Sequence, residues 1–160
     1  MKSMIKKILF AVIFFQVVAS CGFTPTLKLA DQGQTRSKIY YEIENSSYKA
    51  HETLRDFFRN ADKNEAKYIS YIKVNESEYA VNIASNGSVL EYKIEVLIEY
   101  RVVRTDNEKL IHNSQTRGFA NYDVSSSEYS TNLVKNEALK TAILGAAQLM
   151  NIMVNSKIDE

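Results

Sequence analysis

The sequence predicts an α+β fold, a two-layer sandwich with a mixed, mostly antiparallel four-stranded sheet and two helices on one face. Three stretches of the chain favour it. A strand-like segment precedes a short helical stripe, a long run alternates between apolar and polar side chains, and a helical pattern closes the chain. Because a long helix lying along a long strand buries the apolar face of each, these stretches give the order β-α-β-β-β-α.

The first 20 residues are typical of an export signal. Lysines precede an unbroken apolar run at residues 8–15, which is too short for the ~20 residues of a membrane-spanning helix and fits a signal peptide. Val18-Ala19-Ser20-Cys21 then resembles the lipobox of bacterial lipoproteins. We expect a lipoprotein signal peptide with lipidation at Cys21; the alternative is an ordinary signal beside a chance cysteine.

The resemblance to bacterial lipoproteins implies cleavage before Cys21 and acylation of its thiol and its new amine. One acyl chain anchors a protein only marginally, whereas a diacylglyceryl group with an N-acyl chain anchors it stably. Gly22 rather than an aspartate follows the cysteine. In bacterial lipoproteins, a residue other than aspartate at this position implies location in the outer membrane.

The composition excludes several classes of function. Loss of Lys2, Lys6 and Lys7 with the signal lowers Lys+Arg from 20 to 17 against 19 Asp+Glu, so the mature chain has a formal charge of −2. A near-neutral chain lacks the basic surface that binds nucleic acid. The single Cys excludes an intramolecular disulfide framework, and two His residues exclude a multi-histidine metal site. We expect no cofactor.

The mature chain is predicted to begin with a lipidated tether, residues 21–37, where no periodicity is sustained. One domain is expected over residues 38–155, followed by a polar tail at 156–160. Residues 38–44 alternate weakly and are rich in Tyr and Ile, which predicts the first strand. A helical stripe follows, and a strand followed by a helix predicts a crossover to a parallel second strand. The stripe consists of Ala50, Leu54, Phe57, Phe58 and Ala61.

Three further strands are predicted from the middle of the chain. Residues 66–74 form the second, and its continuation over 75–84 either bends, bulges or restarts. After an Asn-Gly turn, every even position from Leu90 to Val102 is apolar and most odd positions are charged, which predicts one long half-buried strand over 89–103. Such one-sided burial is typical of antiparallel sheets. Residues 109–119 are expected to return antiparallel, nearer an edge.

A long helix is predicted for the last part of the chain. Ser125 and Glu128 have the spacing of a capping box. From there to about Asn155 only Gly145 interrupts the pattern, at a cost of about 1 kcal/mol relative to alanine. The predicted buried stripe is Leu133, Leu139, Ile143, Ala146, Met150 and Met153.

The sequence contains no catalytic constellation. His51 and His112 have no partner at metal-binding spacing, the serines at 125–127 lack a nucleophile elbow, and the five glycines are isolated, so they form no phosphate loop. We therefore expect a protein that is not an enzyme. The ten tyrosines indicate either burial with strand propensity or exposed contacts with a protein partner.

Several segments taken in order resemble the LptE family of lipopolysaccharide-assembly lipoproteins. The mature start and a G-x-x-x-E-Y segment match, and so do an arginine before a Tyr-Asp pair and the long closing helix. The matching residues are Cys21-Gly22-Phe23 with Pro25, Gly87-Ser88-Val89-Leu90-Glu91-Tyr92, and Arg117 before Tyr122-Asp123. The resemblance covers nearly the whole mature chain, but residues 26–37 depart from the family pattern.

The resemblance implies a sheet with two helices on one side, and an outer-membrane lipoprotein that binds the β-barrel protein LptD. Such a protein plugs the barrel, assists its assembly and handles lipopolysaccharide. Because a wide barrel has a polar interior, a plug needs a hydrated surface of mixed charge. The polar strand face has this character but also fits a plain solvent-exposed face; its residues are Glu91, Lys93, Glu95, Glu99 and Arg101. The alternative is a free-standing periplasmic lipoprotein carrying a small apolar or lipid ligand.

Candidate lipopolysaccharide-binding residues follow from the chemistry of that ligand. Its phosphates and carboxylates favour Arg and Lys side chains. We expect Arg117 and Lys109 first, with Arg104 and Arg101, at the ends of the long strands. Ordinary surface charge is the alternative interpretation of all four.

Overall fold

A computed structural model describes residues 38–44 and 46–158. The sheet has the strand order β1-β2-β3-β4, with β1 parallel to β2 and the other neighbours antiparallel. The α+β class and the predicted element order are confirmed. Cys21, the signal peptide and the tether lie outside the described residues. The elements are β1 (Ile39–Glu44), α1 (Tyr48–Phe57), β2 (Tyr68–Ile83), β3 (Val89–Arg104), β4 (Leu110–Asp123) and α2 (Glu128–Ile158).

Strand β3 is the central long strand that the alternating pattern predicted. It has 16 residues, so it reaches roughly 54 Å at about 3.4 Å per residue. Its even-numbered side chains from Ile94 to Val102 are buried, whereas Leu90 at its start is exposed. The apolar face of β3 is therefore part of the core from Ile94 onward, and the first residues of the strand, next to the turn, lie outside it.

Strand β2 continues without a break from Tyr68 to Ile83. Its register against β3 shifts between Ala80 and Asn82 and again between Asn82 and Ile83, so the predicted irregularity is a bulged region rather than a restart. Strand β1 pairs only with the first part, ending at the pair Glu44 and Lys73. The second half of β2 consequently has a neighbour on one side only among the described strands.

Helix α1 begins at a capped serine and ends earlier than its apolar stripe predicted. The Ser47 hydroxyl accepts a hydrogen bond from the Ala50 backbone N–H at 3.1 Å. The helix ends at Phe57 because Phe58 adopts an extended backbone, and the Phe58 ring stacks on Tyr41 with centroids 4.1 Å apart. The predicted continuation of the helix to Ala61 is wrong. The packing of Phe58 against β1 compensates for the loss of one more helical turn.

The start of helix α2 also differs from the predicted capping box. Ser127 lies immediately before the helix, and its hydroxyl accepts a hydrogen bond from the Ser130 backbone N–H at 3.4 Å. Glu128 is therefore the first helical residue and not the third. Ser125 instead accepts a bond from the Ser127 backbone N–H at 3.3 Å, which shapes the loop. The helix runs on to Ile158, three residues beyond the predicted end.

Helix α2 packs on the sheet through small side chains. A Cβ added to Gly118 of β4 would overlap the Ala142 carbonyl oxygen and lie 2.7 Å from the Ala146 nitrogen. The buried Thr116 hydroxyl donates to the Ala146 carbonyl oxygen at 2.9 Å. Helix and strand backbones are therefore in direct contact at this point, which only glycine permits.

The predicted stripe of α2 is correct in its centre and wrong at its ends. Ile143, Ala146 and Met150 are buried, but Leu133 is 54% exposed and Met153 is 42% exposed. None of residues 128–137 is buried, although Lys135 reaches Glu78 of β2 at 2.5 Å, so the first turns of the helix contribute no side chain to the core. In the described part of the chain, no helix is both long enough and apolar enough to cross a membrane.

Candidate functional site on the open sheet face

The sheet face opposite the two helices carries paired ions and rings. Alternate residues of a strand point to opposite faces, and the even-numbered residues of β3 are in the core, so its odd-numbered residues lie on the other face. We call this surface the open sheet face. On β2, β3 and β4 its residues with assigned contacts are Tyr71, Lys73, Tyr79, Glu91, Lys93, Glu95, Glu99, Arg101, Arg117, Phe119 and Asn121.

Glu95 joins three strands at the middle of the open sheet face. Its carboxylate lies 3.3 Å from the Arg117 Nε of β4 and accepts a hydrogen bond from the Tyr79 hydroxyl of β2. The bond to the Glu95 carboxylate raises the pKa of Tyr79. These are diagonal contacts, because Glu95 directly opposes Ser77 and Phe119 in the sheet.

Two cations of the open sheet face lie over aromatic rings. The Arg101 guanidinium carbon is 4.5 Å from the centroid of Tyr71, its direct cross-strand partner. The Lys93 ammonium is 4.3 Å from the centroid of Phe119. Cation–ring contacts of this kind stabilise by about 0.5–1 kcal/mol at exposed sites. The two rings therefore fix the positions of two charges on an otherwise hydrated surface.

The open sheet face carries charges of both signs. Lys73 Nζ lies 3.8 Å from the Glu99 carboxylate, and the Asn121 amide donates to Glu91 at 2.8 Å. On β2, β3 and β4 four cations face four carboxylates; the cations are Lys73, Lys93, Arg101 and Arg117, and the carboxylates are Glu91, Glu95, Glu99 and Asp123. Strand β1 adds the carboxylates of Glu42 and Glu44 to the same face.

Two of the four predicted ligand-binding residues lie on this face. Arg117 directly opposes Leu97, and Arg101 is four residues further along β3, so their backbones are roughly 14 Å apart. The sequence predicted Arg117 at the end of its strand, and this is wrong. Arg117 lies in the middle, because β4 continues to Asp123. Its pairing with Glu95 occupies one side of its guanidinium.

The other two predicted residues lie near the turn between β3 and β4. The Arg104 backbone N–H donates to the Lys109 carbonyl at 2.9 Å and closes this turn. Arg104 opposes the buried Tyr68, on the helix side of the sheet, and its Nε is buried without a hydrogen-bond partner among the described residues. Lys109 is exposed. The structure therefore does not bring Lys109 and Arg117 together; about 27 Å of extended chain separates them.

A second polar cluster lies on the helix side of the sheet, at its far end. The Glu78 carboxylate accepts hydrogen bonds from the Tyr122 hydroxyl and from Lys135 Nζ of α2 at 2.5 Å. Burial tends to raise the pKa of Glu78, but the bonds from Lys135 and Tyr122 outweigh it and lower the pKa. Burial, followed by the bond to Glu78, raises the pKa of Tyr122. The cluster ties β2, β4 and α2 together.

The histidines take no part in either cluster. His51 is exposed on α1, and the half-buried His112 ring lies 5.7 Å from the ring centroid of Tyr100. Within residues 38–44 and 46–158, no group of three or more His, Cys, Asp or Glu side chains could hold a metal ion. The open sheet face is held instead by ion pairs and by cation–ring contacts.

Sequence reasoning identified the charges of this face but missed their partners. Tyr71 and Phe119 position Arg101 and Lys93, and Glu95 joins three strands. Cross-strand pairs are the signal that finds such contacts, but they depend on the register of β2 and β4. That register was not available from the alternation of β3 alone.

The fold of this chain is shared with several solved structures of lipoproteins. No protein-family model matches the sequence, and no curated protein does. A candidate lipoprotein from Caulobacter crescentus is 18% identical with a TM-score of 0.61, covering 76% of this chain and 90% of its own. A minor lipoprotein from Acinetobacter baumannii is 12% identical with a TM-score of 0.58, at 76% and 92% coverage. Rare lipoprotein B from Shewanella oneidensis is 11% identical with a TM-score of 0.55, at 76% and 96% coverage. At these identities the likeness shows a common fold.

Proposed function

We propose that the chain is an outer-membrane lipoprotein that acts as plug and assembly partner of an LptD-like β-barrel in lipopolysaccharide transport. Its role is binding and positioning rather than catalysis. The open sheet face carries this proposal. It presents charges of both signs held by neighbouring strands, which is the character that the polar interior of a wide barrel requires.

The arrangement of these charges supports a plug more than a plain solvent-exposed face. Glu95 is held by Arg117 and Tyr79, and Arg101 is held by Tyr71. Because these contacts fix side chains that are otherwise long and mobile, the surface loses less conformational entropy when a second polar wall approaches. A preorganised hydrated face can therefore bind tightly without a large apolar patch.

The lipoprotein part of the proposal is supported by the N-terminal sequence and the shared fold. Val18-Ala19-Ser20-Cys21 resembles a lipobox, and Gly22 follows it. Three proteins described as lipoproteins share the fold of the domain. An acyl anchor at Cys21 would hold the domain at the periplasmic surface of the outer membrane, where a barrel can receive it.

The alternative is a free-standing carrier that binds an apolar ligand between the sheet and the helices. The contact between α2 and β4 disfavours it. Gly118 has no room for even a methyl group beneath Ala142 and Ala146, and Thr116 bonds directly to the helix backbone. The space that such a ligand needs is therefore filled at the centre of the interface.

The barrel itself provides the test of this proposal. Depletion of the chain in its own cell is expected to lower the amount of correctly assembled LptD-like barrel, and a plasmid copy of the gene should restore it. A Cys21→Ser variant that cannot be acylated should restore it poorly. Full barrel assembly without the chain would contradict the proposed function.

A further inference from the structure

Strand β4 ends the sheet, and among the strands that the structure describes its outer edge is the longest free one. The strand order is β1-β2-β3-β4, and β4 has 14 residues. In the described part of the chain, no strand pairs with its outer side. An edge of this kind presents a row of unpaired backbone N–H and C=O groups that can pair with another strand.

The other free edges of the sheet are short or protected. Strand β1 has only six residues. The free half of β2 places the carboxylates of Glu76 and Glu78 on its helix side and then loses its regular register between Ala80 and Ile83. Inward-pointing charges and bulges are the devices by which natural edges resist further pairing.

Strand β4 has no inward-pointing carboxylate, lysine or arginine, and its register shift against β3 is confined to its first residues, between Leu110 and His112. Its register against β3 is unbroken from Asp123 to His112. Its residues on the helix side include no carboxylate, lysine or arginine, and they are His112, Ser114, Thr116, Gly118, Ala120 and Tyr122. The edge is thus long, regular and compatible with a neighbouring strand.

Helix α2 lies directly on this edge strand and presents an apolar strip beside it. Gly145 faces Gly118, since a Cβ on Gly145 would lie 3.9 Å from the Gly118 Cα. Leu149 and Ile152 follow Gly145 by four and seven residues, so they lie on the same side of the helix. They are 48% and 66% exposed, whereas Ile143 on the other flank is fully buried.

We propose that the β4 edge and the Leu149–Ile152 strip together bind an extended segment of another protein by strand addition. The unpaired backbone groups require a strand, because neither a lipid nor a helix supplies a matching row of donors and acceptors. Alternate residues of the segment are apolar and lie under Leu149 and Ile152. Its ends carry charges complementary to Lys109 at the start of β4 and Asp123 at its end. The inference does not depend on the barrel proposal.

A second copy of this chain fits the edge poorly. Antiparallel pairing of two β4 strands would place them about 4.8 Å apart, with both copies of α2 on the same face. Because each α2 backbone touches its own β4 at Gly118 and Thr116, the two helices would crowd each other on that face, since packed helices need 8–10 Å between their axes. A segment without a helix above it avoids this clash.

The test uses the mature lipidated chain in its own membrane. A photoreactive benzoylphenylalanine replaces Leu149, and a matched probe replaces Tyr48, which is 82% exposed on α1. The expected result has two parts: an adduct at Leu149 whose partner peptide alternates apolar and polar residues, and slower amide exchange of β4 in the complex than in the purified chain. Ile152→Lys should lower the adduct by roughly tenfold, with Tyr48→Lys as the control in a chain that carries the Leu149 probe.

Several outcomes would overturn the inference. They are an adduct only with lipid or with a second copy of the chain, equal adducts at the two probe positions, a partner peptide without alternation, and unchanged exchange of the β4 amides. Thermal unfolding of Ile152→Lys, whose side chain is exposed, should match that of Tyr48→Lys. This comparison separates loss of binding from loss of the fold.

Discussion

Gly118 of β4 lies directly beneath Ala142 of α2, with the helix backbone where a side chain would otherwise begin. Gly118→Ala should therefore push the helix away from the sheet. We expect a loss of about 3 kcal/mol or more in the free energy of unfolding, at the upper end of overpacking effects. Urea denaturation of the variant and the parent protein measures this loss.

Gly145→Ala is the matched control, because the nearest atom to its added Cβ is the Gly118 Cα at 3.9 Å, an ordinary contact distance. Alanine favours the helix by about 1 kcal/mol over glycine, so this variant should be neutral or slightly more stable. Equal destabilisation by the two substitutions would contradict a closer helix–strand contact at Gly118 than at Gly145.

The Glu78 cluster should make stability fall in acid. The pKa of Glu78 is lowered from its ordinary value of 4.5, so the unfolded chain binds the proton more readily than the native chain. The contribution is therefore present above the unfolded value and is lost as pH falls through the native pKa. In Glu78→Gln the free energy of unfolding should fall less in acid, by up to about 1 kcal/mol. The effect is small because the Glu78–Lys135 pair is partly exposed.

Urea unfolding at a series of pH values from about 6 to about 3 measures that slope. Glu76→Gln, two residues earlier on the same side of β2, is the matched comparison. A flattening of equal size in the two variants would contradict the role given to Glu78 with Lys135 and Tyr122.

Tyr41 should make stability fall in alkali. Burial raises its pKa from 10.0 to about 12, so its contribution is complete below pH 10 and is lost as pH rises toward the native value. Tyr41→Phe keeps the ring stacked on Phe58 and removes the ionisable hydroxyl. We expect a smaller loss of stability between pH 10 and 12 in this variant than in the parent.

The check is thermal unfolding across that pH range, with tyrosinate absorbance recorded in parallel. Tyr48→Phe is the control, at a side chain that is largely exposed on α1. An unchanged alkaline loss in Tyr41→Phe would show that the buried hydroxyl of Tyr41 does not cause it.

Neutralising Arg117 and Lys109 together should weaken binding of purified lipopolysaccharide with little change in thermal stability. Exposed ion pairs such as Arg117–Glu95 contribute about 0–1 kcal/mol, so the fold should tolerate the loss. Because the two residues are far apart along the sheet, each single variant should have a separate effect. Arg104→Gln and Arg101→Gln extend the series.

Lys73→Gln is the control for this series, because Lys73 lies on the same face in a comparable pair with Glu99. Binding that the double variant leaves unchanged would remove Arg117 and Lys109 from the ligand site. Binding that Lys73→Gln weakens equally would indicate a general effect of charge.

The parts of the fold predicted correctly from the sequence are those set by local pattern. The alternation of β3 specifies a half-buried strand without reference to its neighbours, and Ile94, Val96 and Ile98 are buried as expected. Leu133 was mispredicted because helical periodicity shows which side of a helix is apolar but not which of its turns the rest of the fold covers. Gly118 carried a usable signal, since glycine inside a strand often marks close backbone approach.

The candidate site depended on register, which the sequence does not give. The turn after Arg104 and the shift between Val102 and Val103 decide which residue of β4 opposes each residue of β3. A one-residue slip would exchange the two faces of the strand. The charges of Arg117 and Glu95 were therefore predictable as surface features, and their contact was not.

The native mass of the complex extracted from the cell's own membrane in mild detergent tests the proposed role most directly. The barrel proposal predicts one stable species in which this chain is bound to a single large outer-membrane barrel. Recovery of the chain at its own mass, with no barrel bound under conditions that leave other outer-membrane complexes intact, would contradict it.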